Sequence, residues 1–135
     1  MLDIKIFNDS KTKFLPKQKL ADAINRVLKD KHIKKASINV ILVVDDIIKS
    51  MNSQYLKHDY ATDVISFNIN DEPALLGEIY ISVDTAKRQA KEFKVSLTNE
   101  LKRLAIHGTL HLIGYEDYTN KQKEEMHNLE NKYIG

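Results

Sequence analysis

A chain of 135 residues is long enough to bury a core without staples, and its lack of cysteine excludes disulfides, thiolate metal sites and a cysteine nucleophile. Lys and Arg number 21 against 19 Asp and Glu, a formal net charge of +2, so any nucleic-acid binding has to rest on local basic clusters. No apolar run approaches a membrane span and no apolar signal core opens the chain, so one cytoplasmic domain over residues 1–135 is expected.

Met1 to Phe7 reads as a strand, because Leu2, Ile4 and Ile6 alternate with polar residues. Pro16 sits where a helix starts, and Leu20, Ile24, Val27 and Leu28 follow at helical spacing. Ser37 to Val44 is the clearest strand. Ile38, Val40, Leu42 and Val44 face one way, while Ile41 and Val43 make the other face apolar, which predicts a central position. Asp45 is expected to cap a helix to about Leu56 that turns Ile47, Ile48, Met51 and Tyr55 inward. Val64 to Ile69 is a further strand, and Asp71-Glu72-Pro73 a loop before a fourth strand, Glu78 to Ser82. Asp84 is expected to cap a helix burying Ala86, Ala90 and Phe93. A helix then runs from about Thr98 to Ile113. Thr119 and Gln122 form a capping box for a last helix whose stripe is Met126, Leu129 and Tyr133. Four strands and about five helices predict an α+β fold, an α/β sandwich with a small mixed sheet. The pattern leaves the order of the strands open.

The chemistry concentrates in His107-Gly108-Thr109-Leu110-His111-Leu112-Ile113-Gly114-Tyr115-Glu116-Asp117. Histidines at i and i+4 share one helix face. Such a pair alone is as often two satisfied structural histidines as a site. Gly114, three residues on, can end the helix in a left-handed conformation and carry Asp117 back over both imidazoles. Three protein ligands with a fourth position open make a catalytic metal site. The offsets match the helical metal motif H-E-x-x-H-x-x-G-x-x-H, except that Gly108 stands where metalloproteases place a general-base Glu.

This segment resembles the signature H-G-x-L-H-L-x-G-Y-D-H of the YbeY family, the bacterial metal-dependent endoribonucleases of ribosomal RNA maturation. Two more blocks are similar to that family. Met51 to Phe67 resembles L-N-x-x-[YF]-R-x-x-D-x-P-T-[DN]-V-L-S-F, and Leu76 to Ser82, followed by Gln89-Ala90, resembles L-G-[DE]-I-x-I-S. The three blocks come in the family's order and spacing.

The resemblance implies a single-strand-specific endoribonuclease acting in maturation of the 16S ribosomal RNA 3′ end and in ribosome quality control. It implies one zinc ion on His107, His111 and Asp117, catalysis centred on His107 and His111, and ribosomal RNA and the small ribosomal subunit as partners. The sequence departs from the family in two places. Asp117 replaces the third histidine, and Leu56 replaces an arginine associated with catalysis, for which Lys57 and His58 are poorly placed substitutes. Asp59 and Thr62-Asp63 read as structural, and His32 and His127 as surface residues. Arg88, Lys91, Lys102 and Arg103 are candidates for salt-sensitive contacts to RNA phosphates. Two other function classes stay open, a ribosome-assembly factor with a structural metal and a metallopeptidase.

Overall fold

The computed structural model describes residues 1–56 and 63–135. Four strands, β1 (Leu2–Asn8), β2 (Ala36–Val43), β3 (Val64–Asn70) and β4 (Leu75–Ser82), form one sheet in the order β1-β2-β4-β3. β1, β2 and β4 run parallel, and β3 is antiparallel to β4 across the Asp71–Ala74 connection. The helices are α1 (Lys17–Asp30), α2 (Asp45–Met51), α3 (Val83–Glu92), α4 (Leu97–Leu112) and α5 (Asn120–Ile134), and α2 continues into a π-helical turn, Asn52–Leu56. The fold is α+β with a mixed sheet. None of the described helices is long and apolar enough to cross a membrane.

β2 is interior, as its two apolar faces require. Ile38, Val40 and Leu42 pack with Ile79 and Ile81 of β4 against Leu20, Ile24 and Leu28 of α1 and Leu101, Leu104 and Ala105 of α4. On the opposite face Val43 and Ile65 pack against Ile48 of α2. A second layer joins Ala23 and Val27 of α1, Ile106 and Leu110 of α4, and Met126 and Tyr133 of α5. Helix α4 is therefore central: one side lies on the sheet and the other carries α5. Its Gly108 backs onto the sheet so closely that a Cβ there would stand 2.8 Å from Ile79 Cγ2 and 3.0 Å from Ser66 Oγ.

Several local expectations are corrected. Asp45 does not cap α2. Val44 holds the N-cap position, and the Asp45 carboxylate turns to α3, where it accepts from Ser82, Thr85 and Arg88. Asp84 does not cap α3 either. Ser82 does so, accepting from the Thr85 amide, while Asp84 accepts from the Asp45 amide. The two acids thus exchange places, each serving the other's helix start. Ile47 and Phe93, expected inside, are 48% and 55% exposed, because the helices bury narrower faces than the pattern suggested. The capping box of Thr119 and Gln122 is present, and Met126 and Tyr133 are buried with Leu129 packed beside them.

Candidate metal centre

His107 and His111 lie one turn apart on α4, and the helix ends at Leu112. Gly114 then takes φ +108°, a conformation that costs glycine little and other residues much. The Tyr115 amide donates back to the Leu110 carbonyl, so the chain folds over the helix end. That reversal brings Asp117 Oδ2 to 3.4 Å from His107 Nε2 and 3.6 Å from His111 Nε2, while the two Nε2 atoms stand 3.0 Å apart. An ion with tetrahedral bonds of about 2.0–2.1 Å needs donors roughly 3.3 Å apart. The three donors span that edge length, and this group can hold a metal ion. Glu116 is exposed.

The other ring nitrogens fix which atoms face the centre. His111 Nδ1 is 2.9 Å from the Tyr115 carbonyl, and His107 Nδ1 is 2.7 Å from Glu130 Oε2. A carbonyl only accepts, and so does a carboxylate, so each Nδ1 carries the proton and donates. Both Nε2 lone pairs then point at the shared space. Two lone pairs 3.0 Å apart beside a carboxylate require a cation or a proton between them. Burial pulls the His107 imidazole down, but the hydrogen bond and charge of Glu130, with Asp63 and Asp117, outweigh it and hold the group above its ordinary value. A metal ion would take the place of that proton.

Glu130 went unread in the sequence. Its side chain is 8% exposed and sits between His107 and Arg103, whose Nη1 donates to Oε1 at 3.1 Å. The signal was available, since Glu130 falls at i+4 from Met126 and i−3 from Tyr133, on the buried stripe of α5. An acid on an apolar stripe is held there by a partner.

Two clefts flank the histidines. One, of about 540 Å³, opens beside His107 and is bounded by α3, the start of α4 and α5. The buried Glu100 lines it, and burial pushes its carboxyl up against the pull of Arg103, with Asp63 and Glu130 pushing the same way. The other, of about 670 Å³, opens beside His111 between the β3–β4 hairpin and the exposed Lys34 and Lys35.

Of the expected basic contacts, Arg88 is paired with Asp45 and Arg103 with Glu130. His32 and His127 are exposed, as expected, and each borders one of the clefts. Lys57, His58, Asp59 and Thr62 lie outside the described residues, as do the side chains of Tyr55 and Leu56. Asp63 is described, and its carbonyl accepts from the Ser82 amide, a structural role that anchors the start of β3.

A family model described as Endoribonuclease YbeY matches residues 5–135. A Chloroherpeton thalassium protein named Endoribonuclease YbeY is 44% identical over 121 residues, covering 90% of this chain and 86% of the relative. Proteins of the same name from Chlorobaculum parvum and Chlorobium phaeobacteroides are 37% and 32% identical, each over at least 98% of this chain and 94% of the relative. A solution structure of a Thermotoga maritima protein superposes with a TM-score of 0.65 at 32% identity, covering 99% of this chain and 87% of that one. With the match running through the helix, the glycine turn and the acid that assemble the three donors, the chain belongs to the YbeY family.

Proposed function

We propose that the chain is a metal-dependent endoribonuclease, cutting single-stranded RNA in the maturation of the 16S ribosomal RNA 3′ end and in ribosome quality control. The observation that carries the metal site is the convergence of two Nε2 lone pairs and one carboxylate oxygen within 3.6 Å of one another, with both Nδ1 atoms committed elsewhere. The names of relatives similar over nearly their whole length support the RNA substrate. Ribosomal RNA within the small subunit, in the cytoplasm, is the partner this reading assigns.

His107, His111 and Asp117 would hold one zinc ion, which would supply Lewis acidity toward a phosphoryl oxygen, the attacking oxygen being that of water or of the ribose 2′-hydroxyl. His107 and His111 present neutral Nε2 donors, and Glu130 and the Tyr115 carbonyl keep those rings from turning. Asp117 makes the donor set anionic and harder than three imidazoles, which widens the choice of divalent ion. Lys34 and Lys35 stand at the cleft beside His111, where a phosphate chain would pass.

A metallopeptidase is disfavoured by geometry. Any side chain at position 108 would point at Ile79 and Ser66 in the sheet, away from the metal donors, so the protease Glu has no counterpart there. A ribosome-assembly factor with a structural metal is favoured by Leu56 in place of the family's arginine. Incubation of the zinc-loaded protein with a structured ribosomal RNA fragment and with casein, beside His111→Ala, separates the three. Metal-dependent RNA cleavage lost in the variant is expected. RNA binding without cleavage would leave the assembly factor, and casein cleavage alone the peptidase.

A further inference from the structure

We propose that the cleft beside His107 is a nucleobase pocket that selects a base carrying an exocyclic amine at the nucleotide next to the cleaved phosphate. This rests on the endoribonuclease reading above. The cleft, about 540 Å³, is bounded on one side by His107 and Glu130, so a base seated in it stays attached to a phosphate at the metal donors. Its walls are mixed in the way a base requires. Leu104 gives an apolar floor, and Phe93 stands at the rim, 55% exposed on a helix end where its burial was expected. An aromatic ring free at the mouth of a cleft is a stacking surface for an unpaired base.

The polar lining decides which base. Glu100 is 1% exposed, and its Oε1 makes no hydrogen bond, the Arg103 Nε lying 3.9 Å away. Gln89 gives its amide nitrogen to Asp63 at 3.2 Å, which leaves its Oε1 buried and also without a donor. Two buried acceptors lining one cleft call for N–H groups from an occupant. Arg103 does not supply them here: Nη1 and Nη2 donate to Glu130 and Asn131, and Nε stands beyond hydrogen-bond reach of Glu100. A phosphate is excluded, since Asp63, Glu100 and Glu130 face the same space. Adenine, cytosine and guanine each offer an amine. Uracil offers two carbonyls around a single N–H and would set oxygen against oxygen.

The test has two arms. In the first, zinc-loaded wild type, Glu100→Gln and Phe93→Ala cleave single-stranded oligoribonucleotides in which the bases flanking one position are varied. Wild type should disfavour uridine on one side of the cut by on the order of tenfold in kcat/KM. Glu100→Gln, which keeps the shape and adds a donor, should lose most of that ratio. Phe93→Ala alters an exposed residue and should lower kcat/KM on the order of tenfold for the amine-bearing bases. In the second arm, CMP and UMP are titrated into the metal-free protein while amide resonances are followed by NMR. CMP should shift residues 89, 93 and 100 at lower concentration than UMP. Cleavage indifferent to base, or a preference that Glu100→Gln leaves intact, overturns the pocket and leaves the nuclease. If no RNA is cut, the nuclease reading falls, and the nucleotide titration alone decides the pocket. Equal shifts by CMP and UMP, or none at these residues, overturn it.

Discussion

Asp117 is the donor that depends on chain reversal, since His107 and His111 share a helix face and need nothing else to meet. Removing it should therefore test the turn as well as the ligand. In a zinc titration Asp117→Ala should lose at least tenfold in affinity, because losing a ligand costs no less than losing its support. Glu116→Ala should bind like the parent, the side chain being exposed. The reverse result would make Glu116 the third ligand. Glu130 acts one step behind, holding the His107 ring by its Nδ1 proton. Glu130→Gln keeps the size but removes the charge, and should weaken zinc roughly tenfold to a hundredfold, read by competition with a chelating dye. Wild-type affinity in this variant would reduce Glu130 to a packing residue. The three candidate donors could be grouped from sequence because all of them fall within one helix end and its turn. Glu130 could not be assigned its partner, because it reaches His107 from another helix, 23 residues on.

At the level of elements, the swap between Asp45 and Asp84 shows why cap residues misled. Either acid looks like an N-cap by sequence position, yet each serves the neighbouring helix, and only the adjacency of β2 and β4 brings those helix starts together. Burial pushes the Asp45 carboxyl up, but hydrogen bonds from Ser82, Thr85 and Arg88 and the charge of Arg88 outweigh it, holding it below its ordinary 3.8. A depressed carboxylate contributes stability that is present above the unfolded-state pKa and lost as pH falls through the folded one. Asp45→Asn should thus cost roughly 1 kcal/mol in urea unfolding at pH 7. The gap should close below about pH 4, and a gap unchanged at low pH would remove the ionic contribution. Gly108 makes the same point for α4. On paper it is a poor helix residue, but the helix lies against β3 and β4 at that position. Gly108→Ala should destabilise by about 1–3 kcal/mol despite better helix propensity, since Ile79 sits inside the packed core and Ser66 Oγ is tied to the Gly108 carbonyl. A stabilised variant would mean that the helix can lift from the sheet.

Across the whole molecule, the element types were legible because each apolar pattern is strong, as in β2 and α1. The strand order was not, because the pairing of β2 with β4 rather than β3 joins segments far apart in sequence and leaves no local mark. The same long-range assembly would give a bound metal a structural consequence. The donors sit on α4 and the loop that leads to α5, and Glu130 returns from α5 to complete the set. Helix α5 has a modest core of its own, Met126 and Tyr133 against α1 and α4. An ion bound in the native state and not in the unfolded chain stabilises by mass action, about 2.7 kcal/mol at a hundredfold excess over Kd. For a chain of this length that corresponds to a rise in Tm on the order of 10 °C. Zinc added to EDTA-treated protein should produce that rise in a calorimeter, and Asp117→Ala should lose most of it. Hydrogen exchange should slow most at the amides of residues 110–117 and in α5, where the clip closes. A zinc-independent Tm together with unchanged exchange in α5 would mean that these three donors do not bind the ion in solution.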